Sequence, residues 1–244
     1  MQTRTAPPQD RYWLGDGAAI TEHLLAQADV YAPEASELLD RIGVREGAGV
    51  IDIACGALGI LPLLSERVGP AGRVVGLDIE PRLLGLARDL ASERGLAVEL
   101  VEADAKATGL PAGSFDLVHA RTLLLNLTRP EEAVAEMARL ARPGGTVALQ
   151  EPDTAAWVCD PPHPAFDVLR DVQVRATARI THPGEYYHTF LLTLCALLRE
   201  ELLAGHRLTP DRLDCYAAEL RDHLAQPGTL TCQPTLWQAW AVKP

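Results

Sequence analysis

The sequence predicts an α/β fold, a mostly parallel sheet with helices wound on both faces. Three observations point there. Short apolar runs of strand length alternate with runs of helical spacing from residue 50 to residue 152. The first run breaks into the small residues Ala54, Cys55 and Gly56. Aspartates stand in or at the end of the first three runs, at 52, 78 and 104, spaced 26 residues apart each time. Strands that alternate with helices in this rhythm run parallel, and such sheets bind ligands at the carboxyl ends of their strands.

The elements follow in order. Two amphipathic helical segments, about 17–29 and 33–42, come first. VIDIA (50–54) reads as the first strand and ILPLLSERV (60–68) has helical spacing. RVVGLD (73–78) is the second strand, entered through the turn GPAGR. Pro81 suits the first turn of a helix that stops at Gly95. VELVEAD (98–104) and FDLVHA (115–120) are the third and fourth strands. PEEAVAEMARLA (130–141) is a helix that the following PGG is expected to end, and TVALQEP (146–152) is the fifth strand. Beyond 154 the rhythm changes to a short helix near 164–170, a strand at 172–179 and a helix over 185–204. Thr209 and Pro210 then open a helix that runs to about 225, and LWQAWAV (236–242) is a last strand.

Composition narrows the partners. The chain has 244 residues, 48% of them hydrophobic, which suits one domain with a real core. A net charge of -11, with lysine only at 106 and 243, argues against nucleic acid, whose phosphates need a basic cluster. The first ten residues, MQTRTAPPQD, lack the apolar stretch of a signal peptide. The longest apolar run, FLLTLCALL (190–198), is too short to span a bilayer. A soluble, cytoplasmic protein with no membrane partner is expected. The cysteines at 55, 159, 195, 215 and 232 are odd in number and form no CxxC pair, so reduced thiols are the simple reading.

The acidic strand ends describe a ligand. A carboxylate closing the second strand accepts both hydroxyls of a ribose, and one after the third accepts an amino hydrogen such as that of adenine. A small-residue loop lets backbone come close. A dinucleotide site would prefer G-x-G-x-x-G with phosphate on the helix N-terminus. This chain offers Ala54, Gly56 and Gly59 instead. Asp52 would repel a phosphate and suit an ammonium group. The implied ligand is an adenosine carrying an amino acid, S-adenosylmethionine, and a nicotinamide-dependent dehydrogenase is disfavoured.

The series VIDIACGALGILPLL, GRVVGLDIEPRLLGLAR, VEADA, GSFDLVHAR and LARPGGTVALQEPD resembles the class I S-adenosylmethionine-dependent methyltransferases, most closely the small-molecule, natural-product type. The resemblance covers about residues 45–153. It implies a Rossmann-like seven-stranded sheet, mostly parallel with the last strand antiparallel, and helical lid segments. The whole chain, 1–244, would be one domain: an N-terminal lid (1–44), a cofactor-binding core (45–153), and C-terminal strands and lid (154–244). It implies that Asp52, Ala54, Cys55 and Gly56 contact the methionine part of the cofactor. Asp78 would hold the ribose with Ile79 beside the adenine, and Asp104 and Ala105 would face the adenine edge. His119 and Arg121 would line the methionine side, where Tyr12 or Gln27 would also reach.

Two departures from that pattern stand out. The common loop has glycine at 54 and 58, where this chain has Ala54 and Leu58. One reading packs Leu58 under the first helix and moves the tight turn to Gly59. The other is a loop that no longer holds the cofactor in reactive geometry. The stretch between the fifth strand and the next, TAAWVCDPPHPAFDVLRD, is also short.

An acceptor hydroxyl or amine needs a base. Candidates are Glu151, with Asp153 near it, and His182 and His188, which flank Tyr186 and Tyr187 in THPGEYYH. Each has a duller reading: Glu151 as a cap for backbone amides, HPGEYYH as a helix start, His119 as a hydrogen-bonded core group. No metal is expected, since His182 with His188 and Cys159 with His163 have no recognised ligand spacing. The expected function is methyl transfer from S-adenosylmethionine to a small-molecule acceptor in secondary metabolism or antibiotic biosynthesis, at oxygen or nitrogen. The alternative is a methyltransferase fold that uses bound cofactor to organise a cyclisation or rearrangement. A homodimer stays open.

Overall fold

A computed structural model of the chain describes residues 18–155, 159–166, 179–181, 190–197, 199, 203, 208–233 and 235–244. Two helices lead, α1 (Ala18–Val30) and α2 (Ala32–Ile42), the second closed by Gly43 in the left-handed region. Then strands and helices alternate: β1 (Gly49–Ile53), α3 (Leu61–Val68), β2 (Arg73–Asp78), α4 (Pro81–Glu93), β3 (Val98–Glu102), β4 (Phe115–Arg121), α5 (Pro130–Leu140) and β5 (Ala141–Ala155).

Chain contacts divide the molecule into two compact units. The first holds residues 21–151 and 238–244 among those described. Its six-stranded sheet has the order β3-β2-β1-β4-β5-β9, where β9 is Thr235–Val242. The pairs β1–β2, β1–β4, β2–β3 and β4–β5 are parallel. At the edge the Gly144 amide donates to the Lys243 carbonyl and the Lys243 amide to the Gly145 carbonyl, both at 2.8 Å, so Lys243 faces two adjacent residues as at a bulge of an antiparallel pair, with Gly144 at φ 74°. Among the described residues this sheet therefore has six strands where seven were expected. The segment expected to supply another, 172–179, lies outside the described residues except for Arg179, which begins a strand of the second unit.

Alternation along the strands builds two cores. Val50, Val74, Leu117 and Ala148 point to one face, where Leu38 and Leu39 of α2, Leu61 and Leu64 of α3 and Ala87 of α4 cover them. Ile51, Ile53, Val75, Leu77 and Val118 point to the other, under Ala133, Met137 and Leu140 of α5. The PGG at 143–145 does not follow the end of a helix by a loop, as expected. It lies inside β5, and the β4–β5 register shifts between Phe115 and Leu117 to accommodate it.

The second unit holds a small antiparallel sheet of order β6-β8-β7: β6 (Cys159–Asp160), β7 (Arg179–Thr181) and β8 (Leu230–Gln233). The first and last of these in the sequence have no counterpart in the sequence reading. Among the described residues this unit carries α6 (Phe190–Leu197) and α7 (Pro210–Leu224), besides a helical turn at 164–166, and α7 is opened by the Thr209 hydroxyl accepting the Arg212 amide. Among the described residues no helix is long and apolar enough to cross a membrane.

Candidate functional site

Because β1 to β4 are parallel, their carboxyl ends share one edge of the sheet. The strand order reverses between β1 and β4, which opens a crevice there. The loop after β1 is shaped by three residues with positive φ: Ala54 (59°), Gly56 (58°) and Gly59 (51°). A side chain at Gly56 would meet nothing within 4 Å, so this part of the loop presents open backbone. Gly59 is the opposite case. A Cβ there would lie 2.5 Å from Asp52 Oδ2 and 2.7 Å from the Cys55 carbonyl oxygen. The indispensable glycine of this loop is therefore Gly59. Leu58 is 2% exposed and belongs to the core that Leu61 and Leu64 form, so it packs beneath the loop while the tight turn falls one residue later.

Asp78 closes β2 and is almost buried. Its Oδ2 accepts the Gly56 amide at 2.8 Å and its Oδ1 the Glu80 amide at 3.0 Å. Burial pushes this carboxyl above the usual carboxylate range, and the two amides act against that push. Each oxygen retains a second lone pair for a ligand donor. The next residue, Ile79, is 60% exposed, an apolar surface beside the carboxylate. Asp104 sits past β3, where its Oδ1 accepts the Lys106 amide at 2.8 Å and its Oδ2 lies 3.7 Å from Lys106 Nζ. Ala105 is buried in the core on the α5 side.

Three residues expected at the ligand face inward instead. Asp52 is buried: His119 Nδ1 lies 2.7 Å from its Oδ1, and the Ile60 amide donates to its Oδ2 at 3.3 Å. It braces the loop from beneath rather than meeting an ammonium group. His119 has 0% exposure inside the sheet, so the methionine-side role does not fit it. Cys55 turns its thiol into the core, 2.9 Å from where a Cβ on Gly76 would stand, and burial pushes that thiol up. Only its backbone belongs to the loop surface.

At the ends of β4 and β5, Glu151 Oε1 accepts the amides of Leu123 and Leu124, both at 2.9 Å. Its Oε2 is buried and has no hydrogen-bond partner among the described residues. Burial raises this carboxyl and the amides of the turn oppose the rise. Thr122, which joins β4 to that turn, has φ 57°, an outlier for a β-branched residue. Arg121 places its guanidinium over the Tyr31 ring, 5.6 Å from the centroid. Tyr12, His182 and His188 lie outside the described residues.

The sequence reading placed the shifted turn at Gly59, but it did not single out Gln150 or Thr122. Gln150 had a signal. It stands two residues beyond Ala148, as His119 stands beyond Leu117 and Asp52 beyond Val50, so all three share one sheet face.

Residues 51–149 match the family model described as methyltransferase domain. The chain is similar to the ubiquinone/menaquinone biosynthesis C-methyltransferase UbiE of Hahella chejuensis, 39% identical over 115 residues, covering 46% of each chain. It is similar to nocamycin O-methyltransferase of Saccharothrix syringae, 39% identical over 126 residues, covering 51% of this chain and 45% of that one. The chain thus spans less than half the length of the curated relatives it matches. Among solved structures it resembles Haemonchus contortus phospholethanolamine N-methyltransferase 2, solved with phosphomonomethylethanolamine and S-adenosylhomocysteine. The TM-score is 0.58 at 15% identity over 98% of this chain and 61% of that one, a likeness of fold alone.

Proposed function

We propose that the chain, whose residues 51–149 belong to the class I S-adenosylmethionine-dependent methyltransferases, transfers the methyl group of S-adenosylmethionine to a small-molecule acceptor. The observation that carries the reading is the pairing of Asp78 with the Gly56 amide beside exposed Ile79. An acid, an open backbone and an apolar face at one sheet edge suit a ribose and an adenine. They do not suit a pyrophosphate, so the residues present fit this cofactor.

The cofactor supplies an in-line methyl displacement with its own leaving group, which leaves alignment and deprotonation to the protein. Asp78 holds the ribose hydroxyls, Ile79 covers one face of the adenine, and Asp104 with Ala105 borders its edge. Ala54 and the Cys55–Gly56 backbone approach the methionine part, with Arg121 beside it. Asp52 and His119 act from below. Glu151 is the candidate to receive the acceptor proton, since its raised carboxyl makes it a stronger base than an exposed one. Tyr12 is kept as a candidate for the methionine side and His182 and His188 as candidate bases, all three outside the described residues. An oxygen or nitrogen acceptor from a natural-product pathway is the finer reading; nocamycin O-methyltransferase supports oxygen by its name, and the UbiE relatives keep carbon in view. The cyclisation alternative leaned on Leu58 and on the short stretch after Pro152, and the core packing of Leu58 explains the first of these without it.

Calorimetric titration with S-adenosylmethionine and S-adenosylhomocysteine tests the reading. Micromolar binding of both is expected. Binding of neither overturns it. Methylation of a panel of phenols, amines and activated carbons then separates the acceptor classes.

A further inference from the structure

Three polar side chains form a seam across an otherwise apolar face. Val50, Leu117 and Ala148 of β1, β4 and β5 lie in the core that α2, α3 and α4 cover. One rung closer to the carboxyl edge, on the same face, stand Asp52, His119 and Gln150, all buried. Asp52 Oδ1 lies 2.7 Å from His119 Nδ1, and His119 Nε2 lies 3.1 Å from Gln150 Oε1. The seam reaches the loop through the other Asp52 oxygen. That oxygen accepts the Ile60 amide at 3.3 Å and fills the space that any side chain at 59 would need.

We infer that His119 and Gln150 are positioning residues for the loop over 54–60, acting through the orientation of Asp52. The inference rests on reading that loop as part of the cofactor site. A buried carboxylate needs a partner, and the geometry gives Asp52 the His119 ring. The ring in turn can rotate unless its far nitrogen is held. Gln150 holds it. A side-chain amide offers an acceptor at one end and a donor at the other, and among the described residues its Nε2 end has no competing partner. By turning end for end it meets the His119 ring whether Nε2 carries a proton or a lone pair. A carboxylate or an aliphatic side chain at 150 could not do both. The turn at Gly59–Ile60 is therefore set two strands away, by a residue that touches no ligand.

The test compares Gln150→Met and Gln150→Asn with the wild type, by amide hydrogen exchange and by titration with S-adenosylhomocysteine. Methionine keeps the volume without the hydrogen bond, and asparagine keeps the amide but withdraws it. Leu39→Ala, in the same core, serves as a control for general loss of stability. The seam predicts at least tenfold faster exchange of the Ile60 amide relative to the Ile51 and Val118 amides of the central strands. It predicts five- to tenfold weaker S-adenosylhomocysteine binding in both Gln150 variants. The Leu39→Ala control keeps the wild-type exchange ratio and affinity. An unchanged Ile60 ratio in the Gln150 variants, or the same change in Leu39→Ala, overturns the inference. If the wild type itself binds no S-adenosylhomocysteine, the cofactor reading falls, and the exchange ratios alone still decide the seam.

Discussion

Asp78 Oδ2 accepts the Gly56 amide at 2.8 Å, so the acid that closes the second strand also pins the loop that follows the first. One side chain thereby ties together two backbone segments 22 residues apart. Replacing Asp78 by alanine removes this pin and the proposed ribose acceptor together. Affinity for S-adenosylhomocysteine should fall by about 1.5–3 kcal/mol, the range for hydrogen bonds to a charged group. Calorimetry that finds equal affinity in the variant would refute the ribose assignment.

Ile79→Ala separates ligand contact from folding. At 60% exposure, Ile79 contributes little to the core, and the melting temperature should stay within a degree or two. Cofactor affinity should still drop about tenfold as the adenine loses its apolar cover. A variant that melts earlier but binds normally would place Ile79 in the fold and not in the site.

The loop makes opposite demands at neighbouring positions. Gly59→Ala forces a Cβ against Asp52 Oδ2 at a φ of 51°, which should cost about 1–3 kcal/mol of stability and weaken cofactor binding. Leu58→Ala should cost about 2–5 kcal/mol through the cavity it leaves. Leu58→Gly, which restores the more usual loop spelling, should not tighten cofactor binding. Tighter binding in that variant would revive the loop-defect reading.

Acid should destabilise the protein in two stages. Burial pushes His23 down to about 4 from 6.5, so below pH 6.5 the unfolded chain takes a proton that the folded chain refuses. Stability is lost from pH 6.5 toward 4. Glu136 is held down to about 2 from 4.5 by Arg139 and by the Thr108 amide and hydroxyl, so its contribution is lost from pH 4.5 toward 2. Asp78 and Glu151, both raised by burial, carry the opposite sign and lose stability as pH rises through their folded values. Urea denaturation across pH 3–7 should show His23→Leu flattening the upper stage and Glu136→Gln the lower one, each by roughly 2–3 kcal/mol. Curves parallel to the wild type in both variants would contradict these assignments.

Much of the core was legible because its signals are local. RVVGLD ends at Asp78 in the structure as in the sequence, and Pro81 and Pro210 mark helix starts that backbone geometry alone demands. The misreadings have a shared cause, which is partnership across strands. PGG at 143–145 looks like a helix stop, yet hydrogen bonds from Lys243, a hundred residues on, help hold it in a sheet. TLTCQ is too short and too polar to announce β8 without the strands that flank it. Asp52 reads as a ligand carboxylate until His119, 67 residues away, is seen to occupy it. Glu151 was readable as either a cap or a base, and the turn at 123–124 claims one of its oxygens while leaving the other.

The displaced glycine has a consequence for how such loops diverge. Position 59 is constrained by an oxygen atom beneath it, while position 58 is constrained only by a hydrophobic hollow. Drift at 58 among apolar residues of similar volume is therefore nearly neutral. At 59 a side chain stays costly even if Asp52 changes, since the Cys55 carbonyl oxygen would still lie 2.7 Å from its Cβ, and Asp52 in turn is committed to His119. Letters that look like degeneration of a loop can thus record a fixed skeleton whose variable sites have been relabelled by one register.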